Sequence, residues 1–378
     1  MNIFIKKNIL ISKAASSIVL FFIFATCNYV ASISVAQAEP DIDKLRALYN
    51  QTISQWPEPF LDDGVVWKEF ALLPSSNRDL SDSPMDRLWE DVENSRVVAL
   101  GARLFTDSRL SRSGELACIS CHQPDKSFSD GRALAIGEDG LMGRRRSMTL
   151  FGSVSANALF WDGRAATLEE QVLQPISDPR EMDFTVEGAL DRLDVHDQLE
   201  FYEAFGQVAN RELLARSLSA YIASLRPPQT VFDQFLATKD SNLLSDQEVL
   251  GMHLFRTKAR CMNCHSGPLL TDQQFHNIGL SFAGRRNQDL GRYEITKKED
   301  DLGKFRTPSL RGVSKAGPWM HNGIFPTLKG VISMYNAGMP NLSNADALPY
   351  PLKTSEHIQK LELTDSEIEA LLAFLKIL

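Results

Sequence analysis

Positive charge is in deficit. Forty Lys and Arg stand against 48 Asp and Glu, a formal net charge of −8. Phosphate backbones repel a chain this acidic, which argues against a nucleic-acid partner. Long apolar runs are equally scarce. One extends roughly from Ile9 to Ala25 and no second follows, so no membrane span is expected beyond it. Cysteine is rare as well, 5 residues in 378. What remains is globular composition, 43% hydrophobic and 23% charged, with room for two domains.

The apolar run has a specific setting. Lys6 and Lys7 precede it, and a small-residue stretch after it ends in Ala36-Gln37-Ala38. That order reads as a secretory signal, residues 1–38, which places the mature chain in the periplasm. The alternatives are an uncleaved anchor, or a lipoprotein acylated at Cys27, for which Phe24 and Thr26 are a poor lipobox. Cleavage removes Lys6, Lys7 and Lys13 and no acid, taking the net charge to −11.

Cleavage also removes Cys27. The other four cysteines form two identical patterns, Cys118-Ile-Ser-Cys121-His122 and Cys261-Met-Asn-Cys264-His265. C-x-x-C-H is the attachment signature of c-type haem: two thiols add to the vinyl groups on one porphyrin edge, and the following imidazole takes the iron. A zinc site from two C-x-x-C pairs or a pair of disulfides would leave unexplained why a His follows each second cysteine. Two covalent haem c groups are expected.

The patterns sit 143 residues apart, each after a matching helix, Leu100-Gly101-Ala102-Arg103-Leu104-Phe105 and Leu250-Gly251-Met252-His253-Leu254-Phe255. A second correspondence runs at 160: Arg146-Ser147-Met148-Thr149-Leu150 with Arg306-Thr307-Pro308-Ser309-Leu310, and Gly163-x-x-x-Thr167-Leu168 with Gly323-x-x-x-Thr327-Leu328. The chain therefore reads as an internal repeat: an N-terminal extension at 39–95, a first domain at 96–240 and a second at 241–378. Thr167 and Thr327 read as helix N-caps, with Glu170 completing a capping box. Pro175 is expected to end the first of these helices, and Gly338 with Pro340 the second. The offset of 160 pairs Tyr335 with Pro175. If both helices cross a distal haem face, one iron meets a phenol and the other meets proline, which has no donor.

These motifs resemble the bacterial di-haem cytochrome c peroxidase and MauG superfamily over roughly residues 96–378. Beyond the haem motifs the marks are Phe160-Trp161-Asp162-Gly163-Arg164, Leu168-Glu169-Glu170-Gln171, Pro175, Glu181-Met182, Arg306-Thr307-Pro308-Ser309-Leu310-Arg311 and Pro318-Trp319-Met320-His321-Asn322-Gly323. The resemblance implies a mainly α fold of two facing cytochrome c-type domains, the first carrying the peroxidatic haem and the second the electron-transfer haem. It implies that haem 1, on His122, reacts with hydrogen peroxide, that Gln171, Pro175 and Glu181 line its distal side, and that Glu181 moves a proton. Trp161 would carry oxidising equivalents between the haems. Haem 2, on His265, would take its sixth ligand from Tyr335.

At that position relatives divide. Peroxidases fed by small cytochromes or copper proteins carry Met there, and MauG-like proteins carry Tyr. An anionic oxygen donor lowers the potential and favours higher oxidation states. A second departure points the same way: where peroxidases needing reductive activation have a removable His in an Ile-Gly-His segment, this chain has Ile136-Gly137-Glu138. The resemblance also implies calcium between the domains, held by the carbonyls of Ala316 and Pro318 and by an Asn. The Asn position corresponds to Arg146, a cation, which leaves calcium occupancy open.

On spacing alone Trp161 is a core aromatic, and Gln171 and Glu181 are solvated; the resemblance assigns them to the site. His321 aligns with Trp161 and is expected at a haem edge. His253 and His276 read as structural, His196 and His357 as surface, and Met334 as the packed neighbour of Tyr335. Three functions are weighed: oxidation of a partner protein with peroxide, peroxide reduction with electrons from a small redox protein, and a di-haem carrier or sensor without turnover. The first is favoured on Tyr335 and Glu138. An open, acid-lined haem argues against the third.

Overall fold

Glycines 101 and 251 let two pairs of helices meet backbone to backbone. The computed structural model describes residues 41–80, 86–339 and 352–378; the signal-like segment, Cys27 and Pro340 lie outside them. Among the described residues ten helices have eight residues or more: α1 Ile42–Tyr49, α2 Asp86–Glu93, α3 Ser95–Phe105, α4 Leu168–Ser177, α5 Val195–Phe205, α6 Arg211–Ser224, α7 Val231–Thr238, α8 Asp246–Arg256, α9 Leu328–Asn336 and α10 Asp365–Lys376. The fold is mainly α. Two two-residue strands, β1 Phe275–His276 and β2 Phe305–Arg306, pair antiparallel. Among the described residues no helix is long and apolar enough to cross a membrane.

The α3–α6 crossing and the α8–α10 crossing are equivalent. A Cβ on Gly101 would collide with the Ser217 carbonyl of α6, and one on Gly251 with the Ala370 carbonyl of α10. The first helix of each crossing, α3 or α8, leads into a Cys-x-x-Cys-His segment. We expect Gly251→Ala to cost about 1–3 kcal/mol, the range for overpacking a tight core, read as a lower urea midpoint of the holoprotein with an unchanged slope.

Two hydrophobic cores result. The first gathers α2–α6, with Leu104, Phe105, Leu168, Leu214 and Leu218 buried in it. The second gathers α1 and α7–α10, and it takes in part of the N-terminal extension. Tyr49, Trp56 and Phe70 are buried there, Phe70 with its ring 5.4 Å from Phe232 and 5.9 Å from Phe255. Such aromatic pairs add about 0.5–1.5 kcal/mol each beyond area burial. Residues 74–77 then reach the other core, where the Asn77 amide donates to the carbonyls of Ala223 (2.7 Å) and Leu225 (3.0 Å). The extension, whose place the sequence leaves open, is built into the fold. By packing, α6 belongs with the first half and α7 with the second.

The offset of 160 is visible in the backbone. Phe160 and Met320 both have positive φ, 67° and 70°, and the bridge Leu159–Ala165 repeats as Trp319–Phe325. Thr167 and Thr327 cap α4 and α9, accepting from the backbone N–H groups of Glu170 and Gly330. The capping box differs in detail: the Glu170 carboxylate reaches the Ala166 N–H (2.9 Å), not that of Thr167. Pro175 does not end its helix. α4 continues to Ser177, because proline forfeits only one i→i−4 bond, and the Asp178 N–H closes the last turn on Gln174 (3.0 Å). α9 stops at Asn336, with Gly338 just beyond at φ 87°.

Candidate active site

Cys118–Cys121 forms a single helical turn after the α3 crossing, and His122 follows it. The His122 Nδ1 lies 2.8 Å from the Phe128 carbonyl, and His265 Nδ1 lies 2.9 Å from the Leu270 carbonyl. A carbonyl can only accept, so each Nδ1 carries the proton and each Nε2 keeps a free lone pair. That is the tautomer a metal-ligating imidazole needs. Burial pushes both imidazoles below the usual histidine range, which keeps them neutral. Burial also pushes the thiols of Cys118, Cys121 and Cys261 up to about 12, and that of Cys264 higher still. These are protected thiols with no disulfide between them.

Beside Cys118, Cys121 and His122 opens a cavity of about 430 Å³, and Trp161, Gln171, Pro175 and Glu181 line it. Gln171 and Pro175 are one turn apart on α4, so they share a face. Glu181 is held by the backbone. Its N–H donates to Asp178 (3.0 Å), and its carbonyl accepts from Glu138 (2.9 Å). Gly137 allows that approach, since a Cβ there would strike the Arg180 carbonyl. Burial, with Asp178 adding and Arg164 opposing, pushes the Glu181 carboxyl up to about 7. Arg164 in turn stacks on Phe160 (3.4 Å to the ring centre) and donates to Gln174 (3.1 Å), the residue opposite Met334 in the repeat. Gln171 and Glu181, which spacing alone would leave solvated, therefore face one cavity.

Two buried guanidinium groups border the same cavity, Arg146 and Arg306. Neither has a carboxylate within ion-pair distance among the described residues, and the Arg146 Nε has no hydrogen-bond partner there. Burial pushes each down to about 10. Buried cations of this kind suit an anionic ligand. The carboxylates of a haem fit them, just as its vinyl edge fits the thiols and its iron fits His122.

Trp161 is buried at the edge of this cavity. Its indole N–H donates to the Arg146 carbonyl (2.8 Å), and its ring meets His321 edge-on at 6.3 Å. His321 stacks on Phe305 at 3.6 Å. Burial pushes its imidazole down to about 3, so it is neutral.

Tyr335 lies on α9 in a small cluster with Leu280, Phe325 and Met339, which Met334 also joins. Its hydroxyl has no hydrogen-bond partner among the described residues. Burial first, then the neighbouring Cys264 and Cys261, pushes its phenol well above the usual tyrosine range. Glu138 is buried and turned away from the cavity, accepting from Ser113 N–H (3.1 Å) and Oγ (2.8 Å). His122 is the only imidazole among the cavity-lining residues.

Residues 95–241 match the family model described as di-haem cytochrome c peroxidase. The methylamine utilization protein MauG of Methylophilus methylotrophus is 36% identical over 286 residues, 74% of this chain and 81% of that protein. This chain belongs to the di-haem cytochrome c peroxidase and MauG family. The cytochrome-c peroxidase IdrP1 of Pseudomonas sp. (strain SCT) is 33% identical, with 76% of this chain and 82% of that protein covered. A solved MauG-like protein associated with microbial copper homeostasis superposes with a TM-score of 0.66 at 29% identity, covering 84% of this chain and 95% of its own. Within this di-haem family the chain is a peroxidase-type oxidoreductase.

The remaining histidines were partly misread from sequence. His253 Nδ1 pairs with the Tyr49 hydroxyl (2.9 Å), His276 pairs with Asp272 (2.7 Å), and His196 is exposed. His357, expected on the surface, is instead largely buried against Asp62 (2.8 Å). The acid that draws it in comes from the extension, 295 residues earlier.

Proposed function

We propose that this chain is an exported MauG-like enzyme. It would hold one haem c on Cys118, Cys121 and His122 and another on Cys261, Cys264, His265 and Tyr335, and use peroxide to oxidise a partner protein. The observation that carries the branch assignment is Tyr335: a half-buried phenol on α9 whose hydroxyl has no hydrogen-bond partner among the described residues and which is coupled electrostatically to Cys264 and Cys261. Bound haem supplies the redox chemistry of peroxide reduction. The chain's own groups do the rest. Pro175 offers no donor, and Glu138 is turned away, so the His122 side of the cavity stays accessible. Glu181 accepts a proton from one peroxide oxygen and returns it to the other, so that O–O cleavage gives water. Gln171 shares the α4 face that lines the pocket, where it can orient peroxide. Trp161, gripped at its N–H, would carry oxidising equivalents between the halves. Reducing one peroxide to two waters takes two electrons and two protons; a partner protein supplies the electrons.

A peroxidase fed by a small redox protein is the second reading, and relatives named cytochrome-c peroxidase at 33% identity favour it. The test is to mix oxidised protein with one equivalent of peroxide and count the retained oxidising equivalents by back-titration with a reductant. Retention for seconds or longer without a donor supports the first reading, and the resting protein should show one high-spin and one low-spin haem by electron paramagnetic resonance. Rapid turnover with reduced cytochrome c and nothing retained supports the second. Two low-spin haems at rest would contradict the accessible His122 side.

A further inference from the structure

Arg146 joins the two halves through both its backbone and its side chain. Its N–H donates to the His321 carbonyl (2.7 Å), and its own carbonyl accepts the Trp161 indole N–H (2.8 Å). Its guanidinium Nη2 donates to the Ala316 carbonyl and to Ser129 Oγ (3.1 Å). One residue thus clamps Trp161, the His321 backbone and the 316 loop, joining segments some 170 positions apart.

Calcium does not fit this arrangement. It needs six to eight oxygen ligands at about 2.3–2.6 Å. Here the Ala316 oxygen already takes a guanidinium, and the residue at the expected Asn position donates where a ligand must accept. One carboxylate, Asp130, is electrostatically coupled to Arg146. Its Oδ1 accepts from the Arg132 N–H (3.0 Å), and its Oδ2 has no hydrogen-bond partner among the described residues. Asp130 lies near enough to couple to the guanidinium electrostatically but makes no ion pair with it among the described residues. A divalent ion would have to displace Arg146 from a buried position and leave it unpaired, at a cost of several kcal/mol.

We propose that the Arg146 side chain is a built-in cation that takes the place of the inter-domain calcium, so that this chain positions Trp161 and the 316 loop without a divalent metal. Arg146 is a positioning residue here: its guanidinium holds the Ala316 carbonyl and Ser129 while its backbone carbonyl holds the Trp161 indole, and it touches no reacting atom in this role. A tethered guanidinium cannot dissociate, so the link between the halves does not depend on calcium concentration. The proposal rests on the chain holding haem but not on which electron source it uses. Metal content is read without turnover, so its failure is distinguishable from failure of the MauG-like reading.

The experiment uses the di-haem protein. It is treated with EGTA, assayed for metal, and titrated with calcium in a calorimeter while the haem resonance signals and both reduction potentials are followed. The expected result is no retained calcium, no binding heat, and signals unchanged by chelator or by added calcium. One calcium per chain, with haem signals that change on its removal, would overturn the proposal. Arg146→Met should shift the separation between the two haem potentials, and Arg146→Lys should restore it. An Arg146→Met protein with wild-type potentials and signals would equally overturn the positioning role. Should Arg146→Met fail to fold, the wild-type arm still decides.

Discussion

Tyr335→Phe is expected to convert the low-spin haem signal of the resting protein to high spin while leaving the fold intact. The hydroxyl has no hydrogen-bond partner among the described residues, and the ring packs in an apolar cluster that includes Leu280, Phe325, Met334 and Met339. Burial of the ring pushes its ionisation far above the usual tyrosine range. That penalty vanishes if a ferric iron sits at the oxygen, because a bound cation inverts the local preference and stabilises the phenolate. Phenylalanine keeps the ring and its packing, so the denaturation midpoint should move by no more than about 1 kcal/mol of stability. The iron loses an anionic oxygen, and the potential of that haem should rise by on the order of 100 mV. An unchanged low-spin signal in Tyr335→Phe would remove Tyr335 as the ligand and with it the main ground for the MauG-like reading.

The internal repeat that pairs Tyr335 with Pro175 was legible in the chain because its determinants are local and repeated. C-x-x-C-H fixes thiols and imidazole within one turn, and the offset of 160 pairs Tyr335 with Pro175 without any knowledge of the fold. The backbone repeats faithfully enough that Phe160 and Met320 share the same left-handed conformation. What was hidden depends on partners distant in sequence. Residues 41–80 carry little periodicity. They are placed by partners distant in sequence, through buried Tyr49, Trp56 and Phe70 and through polar contacts such as Asp62 with His357 and Asn77 with the Ala223 carbonyl. No local pattern announces these. Pro175 shows the opposite failure, a strong local signal overridden: one missing N–H near a helix end was too small a loss to stop α4. For Arg146 the sequence showed only that a cation stands where an acceptor was expected. That its guanidinium reaches the Ala316 carbonyl, 170 positions on, is a fact of the tertiary structure alone.

Glu181 sets the pH dependence, and its sign follows from the direction of its shift. Burial raises the carboxyl to about 7, so the group is a neutral acid below that pH and a carboxylate above it. Peroxide arrives protonated, and the first demand on Glu181 is to take a proton, which only the carboxylate can do. The rate constant for peroxide with resting protein should therefore rise about tenfold per pH unit below 7 and level off above it. Were the neutral acid the working form, the rate would instead fall above pH 7, so the direction of the profile decides the role. Glu181→Gln should lower the rate by about 10²–10⁴-fold and erase the inflection. The amide is close in size, and the backbone bonds to Asp178 and Glu138 do not involve the side chain, so the cavity should survive. Glu181→Asp, one methylene shorter, should keep the inflection at a reduced rate. A Glu181→Gln protein that reacts with peroxide at the wild-type rate with an unchanged pH profile would transfer the proton-moving role to another group in the cavity, of which Gln171 cannot be one, because an amide does not titrate in this range.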